Sequence, residues 1–207
     1  MARIVAGHPE RPEGEDGREL LKLMNAGNHE ELAEWGLGYL QFAGNERMLD
    51  IGCGGGANLQ RLLARAPRGH ATGIDYAPLS VEMSREVNAQ AIAEGRCDVL
   101  EGDVHALPFE DAAFDLVTAF ETVYFWNMPT GFAEARRVLR THGQFLICNE
   151  ANGTGAEAQE VADGIPGMVI PTGSQLADLL KDAGFSIIQV YDEAAQGGER
   201  VTVIATK

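Results

Sequence analysis

One carboxylate side chain and four glycines lie close together in the stretch LDIGCGGGA, residues 49–57. Asp50 precedes Gly52 by two residues, and four of the five residues from 52 to 56 are glycine. Glycine reaches backbone conformations with positive φ and lets a main chain approach another group without a side chain between them. The stretch therefore predicts a turn whose backbone lies against a ligand.

The spacing of this turn is compatible with two kinds of cofactor. Gly52, Gly54 and Ala57 satisfy the dinucleotide pattern G-x-G-x-x-G/A, and Asp75 follows Gly52 by 23 residues, close to the spacing of about 20 expected for a ribose contact. Asp50, however, would repel a nearby pyrophosphate and would suit a ligand with a cationic end. The additional Gly56 and the acid Asp103 also depart from the dinucleotide pattern.

Alternating strand and helix periods predict the elements that position these residues. The expected strands are 47–52, 70–75, 97–103, 114–121, 143–150, 186–192 and 199–206, and the expected helices after the turn are 57–66, 78–93, 130–139 and 173–183. The pattern is typical of an α/β fold with a doubly wound, mostly parallel seven-stranded sheet of the Rossmann-like kind. The last two strands have no helix between them and should pair as an antiparallel hairpin.

In such a sheet, ligands bind at the carboxyl ends of the strands, where strand order reverses. Asp75, Asp103 and Glu121 lie at these ends, so they are candidate ligand-binding residues. His70 and His142 fall at the opposite ends and are expected to be surface residues. His105, just beyond Asp103, is interpreted as a loop histidine.

The chain before the first strand divides into two parts. Residues 7–17 combine Pro, Gly and charged residues, so we expect residues 1–17 to form a mobile arm. Asn28 and Glu31 resemble a capping box that begins a helix. Residues 18–45 are therefore expected to form a helical lid on a single domain that covers residues 18–207.

Composition narrows the classes of partner. The 207 residues include 31 acidic and 16 basic ones, for a net charge of −15, which opposes binding to nucleic acid or to anionic membrane surfaces. No apolar run is long enough to span a membrane, and Cys53, Cys97 and Cys148 are too scattered to indicate a disulfide framework. We expect a cytoplasmic protein that acts on a small molecule, with no nucleic-acid or membrane partner; its oligomeric state stays open.

Four stretches together resemble the class I S-adenosylmethionine-dependent methyltransferases of the small-molecule type. Asp50, Gly52, Gly54 and Gly56 match the family's first motif, D-x-G-x-G-x-G. GIDYAP at 73–78, EGDVHALPFEDAAFDLV at 101–117 and RRVLRTHGQFLI at 136–147 are similar to later motifs of the family.

The resemblance implies a role for each matching residue. Asp75 would accept hydrogen bonds from both ribose hydroxyls, and Tyr76 would lie against the adenine. Asp103 would accept from the exocyclic amine of the adenine, and Val104 would offer its backbone. Cys53 would be a small residue beside the cofactor.

The sequence indicates the catalytic residues less clearly than the cofactor-binding residues. Glu121, with Phe125 and Trp126, could supply a carboxylate and ring faces to the sulfonium, and His29 or Glu121 could remove a proton from the acceptor. Nothing indicates a metal site. We predict methyl transfer to an N, O, S or C atom of a small molecule; an NAD(P)-dependent oxidoreductase and a non-enzymatic S-adenosylmethionine-binding module remain as alternatives.

Overall fold

A single seven-stranded sheet organises the protein. The computed structural model describes residues 10–194 and 197–207, without the side chains of Asn28 and Glu157. The strands are β1 Arg47–Ile51, β2 His70–Asp75, β3 Cys97–Glu101, β4 Phe114–Phe120, β5 Leu139–Asn149, β6 Ile187–Asp192 and β7 Val201–Thr206. Their spatial order is β3-β2-β1-β4-β5-β7-β6. The first five are parallel, and β7 pairs antiparallel with both β5 and β6. The predicted fold class is confirmed, including the terminal hairpin.

The helices cover both faces of this sheet. They are α1 Gly14–Met24, α2 Asn28–Leu37, α3 Ala57–Arg65, α4 Pro78–Val87, α5 Ala89–Ala93, α6 Met128–Val138, α7 Ala156–Gly164 and α8 Gly173–Asp182. Leu59, Leu62 and Leu63 of α3 are buried, as expected for an amphipathic helix on a sheet. Helix α8 begins with a complete capping box between Thr172 and Gln175. The described residues include no helix that could cross a membrane.

Strand order reverses at β1, which lies between β2 and β4. Asp50 pairs with Gly73 on one side and with Thr118 on the other. Chain connections from β1 and β4 therefore leave the sheet in opposite directions and open a crevice between them at the carboxyl ends of the strands.

Two predicted helix boundaries are wrong. The expected helix 78–93 is interrupted at Asn88, which separates α4 from α5. Helix α2 begins at Asn28, and the residue before it, Gly27, occupies the cap position with φ of 63°. Asn28 is therefore the first helical residue and not the cap; its side chain lies outside the described part of the chain.

Helix α1 begins inside the range that the sequence assigned to an arm. Gly17 is buried and lies against Pro12 and against Leu79 of α4, and Arg18 forms ion pairs with Glu82 and Glu86 of the same helix. Residues 14–17 are consequently part of a packed helix, which contradicts the prediction of a mobile arm for them. Residues 1–9 of the predicted arm lie outside the described residues.

Candidate functional site

The glycine turn after β1 has two structural tasks. Gly52, Gly54 and Gly56 all have positive φ, at 72°, 51° and 84°. A Cβ at Gly52 would lie 2.2 Å from Oγ1 of Thr122, and one at Gly56 would lie 2.4 Å from Oγ of Ser84, whereas one at Gly54 would meet nothing closer than 3.8 Å. Close packing within the protein thus requires glycine at 52 and 56, and Gly54 is the position of the three that is open on the ligand side.

A cleft of about 410 Å³ opens beside this turn at the carboxyl ends of the strands. Among the residues that line it are seven of the predicted site residues: Gly52, Gly54, Asp75, Tyr76, Asp103, Val104 and Glu121. They come from the carboxyl ends of four strands, β1 to β4, or from the loops that follow them. The topology therefore brings most of the predicted site together in one cavity.

Asp75, the last residue of β2, bridges the glycine turn and the start of α4. Its Oδ2 accepts a hydrogen bond from Gly54 N at 2.9 Å, and its Oδ1 accepts one from Ala77 N at 2.9 Å. Burial raises the pKa of this carboxyl group, and the backbone donors oppose the shift. The backbone N–H of Tyr76 is a further donor; because a carboxylate has about four acceptor positions, one remains for a ligand hydroxyl.

Asp103 follows β3 and caps a 3-10 turn, Val104–Ala106. Its Oδ1 accepts from His105 N at 2.9 Å and lies 2.6 Å from His105 Nδ1. The carboxylate is 64% exposed, and Oδ2 has no donor in the described part of the chain. Asp103 can therefore accept one more hydrogen bond from a ligand in the cleft.

Asp50 and Cys53 do not line this cleft. Asp50 is 1% exposed and accepts a 2.6 Å hydrogen bond from Oγ1 of Thr118. Burial raises the pKa of Asp50 to about 7, and burial also raises the pKa of the Cys53 thiol. Asp50 lies beneath the turn, so its predicted contact with the cofactor stays a prediction.

Glu121, directly after β4, is a partly buried acid that lines the cleft. It has φ of 57°, rare for a residue with a side chain. Its Oε1 accepts hydrogen bonds from Tyr124 OH at 3.0 Å and from the backbone N–H of Glu150, while Oε2 receives none from the described residues. Burial raises the pKa of Glu121 to about 7.

A second, smaller cavity of about 50 Å³ adjoins the cleft and shares Met24, Gly52, Gly54, Phe120 and Glu121 with it. His29, Cys53 and Arg61 also line it, as does Ala57, the first residue of α3. Burial lowers the pKa of His29, opposed by the charge of Glu150. Glu121 is thus the ionisable residue common to the two cavities.

Part of the cleft is lined by apolar side chains, which form an apolar wall. It consists of Leu21 and Met24 of α1, Phe120, Phe125, Trp126 and Pro166. The segment after β5 contributes to the cleft through Pro166 and Gly167. The next residues do not line it: Met168 and Ile170 pack against the core, and Val169 is 57% exposed.

Three contributors to the site were not singled out by sequence analysis. Asn25 donates from Nδ2 to Gly55 O at 2.9 Å, which fastens the end of α1 to the glycine turn. Tyr124 orients Glu121 by donating a hydrogen bond from its hydroxyl group. His105 lines the cleft and was interpreted as a loop residue. No local spacing marks these roles, because each depends on a contact between distant segments.

No group of three or more side chains suited to a metal ion is found among the described residues. The fit of an adenosyl cofactor can be judged from the side chains that are present. Asp75 and Asp103 offer free acceptor positions in the cleft, and Gly54 leaves its backbone accessible. These features suit a nucleoside with hydroxyl and amine donors.

Comparison with known proteins identifies similarity to methyltransferases. Residues 49–147 match the model of a methyltransferase domain. The chain is 30% identical over 154 residues to an O-methyltransferase of Aspergillus nomiae, covering 71% of this chain and 67% of that protein. It is 31% identical over 140 residues to a sterol 4-C-methyltransferase of Caenorhabditis elegans, covering 67% of this chain but only 39% of that protein.

The fold has close structural counterparts as well. A methyltransferase solved in complex with the Trm112 methyltransferase activator of Haloferax volcanii superimposes with a TM-score of 0.81 at 19% identity, covering 90% of this chain and 92% of that one. The chain therefore belongs to the class I S-adenosylmethionine-dependent methyltransferase family.

Proposed function

We propose that the protein transfers a methyl group from S-adenosylmethionine to an N, O, S or C atom of a small-molecule acceptor. The observation that carries the proposal is the convergence of Gly54, Asp75, Asp103 and Glu121 on one cleft. Family membership supports the choice of cofactor. Because the chain spans only part of several relatives, its activity is inferred from its own site.

The cleft suggests how the cofactor would be held. Asp75 would accept from a ribose hydroxyl, with a charge-assisted hydrogen bond stronger than a neutral one. Asp103 and the backbone of Val104 would border the adenine, with Tyr76 beside the ring. The N-terminal amides of α3, next to the smaller cavity, would face the carboxylate of the amino-acid end. Asp50 would support the turn from beneath.

Glu121 is the residue that we assign to proton transfer. S-adenosylmethionine supplies an electrophilic methyl group on a positively charged sulfur. For an acceptor with an O–H or N–H group, Oε2 of Glu121 would take the proton as the acceptor atom bonds to the methyl carbon; the carbon–sulfur bond would break, its electron pair staying on the sulfur of the S-adenosylhomocysteine released. Tyr124 and the Glu150 N–H hold the carboxylate in place through Oε1. A pKa of about 7 suits a general base at neutral pH; His29 is a second candidate for this role.

The apolar wall indicates the kind of acceptor. Leu21, Met24, Phe120, Phe125 and Trp126 line the same cleft as the acids, so an apolar molecule small enough for this space is favoured. The net charge of −15 disfavours nucleic acid as a substrate.

A comparison of ligands tests the proposal. At a hundred times its dissociation constant, S-adenosylhomocysteine should add about 2.7 kcal/mol to the free energy of unfolding, while NAD should add nothing. Asp75→Ala should abolish the response, and Asp75→Asn, which keeps an acceptor oxygen, should retain part of it. A response to NAD alone would instead favour the oxidoreductase. Transfer of labelled methyl groups across metabolite pools would then separate an enzyme from a non-enzymatic binding module and identify the acceptor.

A further inference from the structure

His105 connects the two sides of the cleft. Its Nδ1 lies 2.6 Å from Oδ1 of Asp103, and its Nε2 accepts a hydrogen bond from the backbone N–H of Asn127 at 3.0 Å. This pattern assigns the proton of a neutral imidazole to Nδ1, since Nε2 must accept. Both ring nitrogens are therefore engaged by protein groups, which leaves neither for acid–base catalysis.

The partners of His105 belong to different parts of the site. Asp103 borders the region proposed for adenine, whereas Asn127 directly follows Trp126 of the apolar wall. Val104 and Trp126 also approach each other across Gly131 of α6, where a Cβ would lie 2.9 Å from Trp126 and 3.3 Å from Val104. The imidazole is a polar connection at the edge of this packed contact.

Other bonds hold the same loop farther from the cleft. Arg137 of α6 donates to the carbonyl oxygens of Leu107 and Phe109, and Glu134 accepts from Leu107 N. The loop after β3 therefore stays attached to α6 without His105. Loss of the imidazole should change the position of groups in the cleft more than the stability of the fold.

We propose that His105 is a positioning residue that fixes the Asp103 carboxylate relative to the Trp126–Asn127 wall, so that cofactor binding and the acceptor wall are coupled. The inference rests on the proposed function, because it takes Asp103 to be part of the cofactor site. The bond from Asn127 N–H is the element that joins the two sides. Loss of the imidazole should therefore weaken cofactor binding, whereas loss of the Asn127 side chain, which does not line the cleft, should not.

Variants at 105 and 127 allow a selective test. The N–H of Asn127 points at Nε2 of His105 over 3.0 Å, so a proline ring at 127 would collide with the imidazole, and the imidazole itself is the group to replace. His105→Phe keeps a planar ring and removes both ring nitrogens, whereas His105→Gln retains a donor and an acceptor. Asn127→Ala removes the side-chain cap to Thr130, keeps the backbone donor and is the matched control.

The measurement is the affinity for S-adenosylhomocysteine by calorimetry, with the free energy of unfolding measured beside it. His105→Phe should bind about fivefold more weakly than wild type, the worth of one typical hydrogen bond, and His105→Gln should recover part of that loss. Asn127→Ala should bind as wild type does. Wild-type affinity in His105→Phe, or equal binding by His105→Gln and His105→Phe, would overturn the proposal.

Two further results separate the possible failures. If wild type does not bind S-adenosylhomocysteine, both the proposed function and this inference fail; if it binds and the two His105 variants bind equally well, only the inference fails. Should His105→Phe not fold, His105→Leu replaces it, because it also lacks a donor and an acceptor. Gln should then bind more tightly than Leu, and equal binding by the two would overturn the proposal.

Discussion

The neighbouring strands β1 and β4 each have an acid at or just beyond the carboxyl end, and the two acids are placed differently. Asp50 is enclosed beneath the glycine turn and accepts a hydrogen bond from the hydroxyl group of Thr118, whereas Glu121 lines both cavities, and none of the described residues donates to its Oε2. Burial raises the pKa of both to about 7. A similar pKa therefore does not imply a similar role: access to the cleft separates an acid that can exchange a proton with a substrate from one that cannot.

The largest expected effect follows from replacing Glu121, the open acid that lines both cavities. Glu121→Gln keeps the size of the side chain and removes its ability to take a proton, so turnover of an O–H or N–H acceptor should fall by about 10²- to 10⁴-fold. Labelled-methyl transfer at saturating cofactor measures it. Asp50→Asn should lose less turnover in the same assay; an equal loss would remove the distinction between the two acids.

Asp50, the enclosed acid, should contribute to the pH dependence of the free energy of unfolding. Because the pKa of Asp50 is raised from 3.8 to about 7, the folded state holds this proton more tightly than the unfolded chain. The resulting stabilisation is present below the unfolded pKa and is lost as pH rises to about 7, a change of a few kcal/mol.

Urea unfolding of wild type and Asp50→Asn between pH 4 and 8 measures this contribution. The variant has no proton to lose at this position, so its stability should decline less with rising pH. Glu121→Gln is measured beside it, because the raised pKa of Glu121 makes a separate contribution to the same decline. Parallel curves for wild type and Asp50→Asn would contradict the assigned protonation.

The two acids should also respond differently to the charge of the ligand. A sulfonium near Glu121 would favour its ionised form. Affinity for S-adenosylmethionine relative to S-adenosylhomocysteine, which lacks the sulfonium charge, should therefore rise by about tenfold from pH 6 to pH 8. Calorimetry at several pH values tests this. Glu121→Gln should flatten the dependence and Asp50→Asn should preserve it; the reverse result would exchange the roles of the two acids.

Sequence periodicity predicted the sheet, and placed three candidate acids at one edge of it, for a physical reason. Strand ends follow from short-range patterns, and in a parallel sheet those ends meet at one edge. Asp75, Asp103 and Glu121 could therefore be assigned to one cleft before any contact was known. The start of α1 could not be predicted, because Gly17 and Arg18 are held by packing and ion pairs with α4, which local composition does not encode.

The glycine turn shows a second limit of sequence analysis. Its glycines were attributed to the approach of a ligand, since packing alone rarely needs so many. The structure gives Gly52 and Gly56 a packing cause, in contacts with Thr122 and Ser84. Both neighbours lie far away in sequence, so spacing within the turn could not separate the residues that serve the fold from Gly54, which serves the cleft.

The smallest expected effect concerns the hydroxyl group that donates a hydrogen bond to each acid. Removing the donor to Glu121 by Tyr124→Phe, or the donor to Asp50 by Thr118→Val, should raise the pKa of the corresponding acid by about 0.5 to 1 unit, because each hydrogen bond favours the ionised form. Tyr124→Phe should move the acidic limb of the activity–pH profile upward by that amount. Thr118→Val should leave that limb in place and change only the dependence of stability on pH. A shift of the activity profile by Thr118→Val would mean that the protonation of Asp50 affects the groups in the cleft.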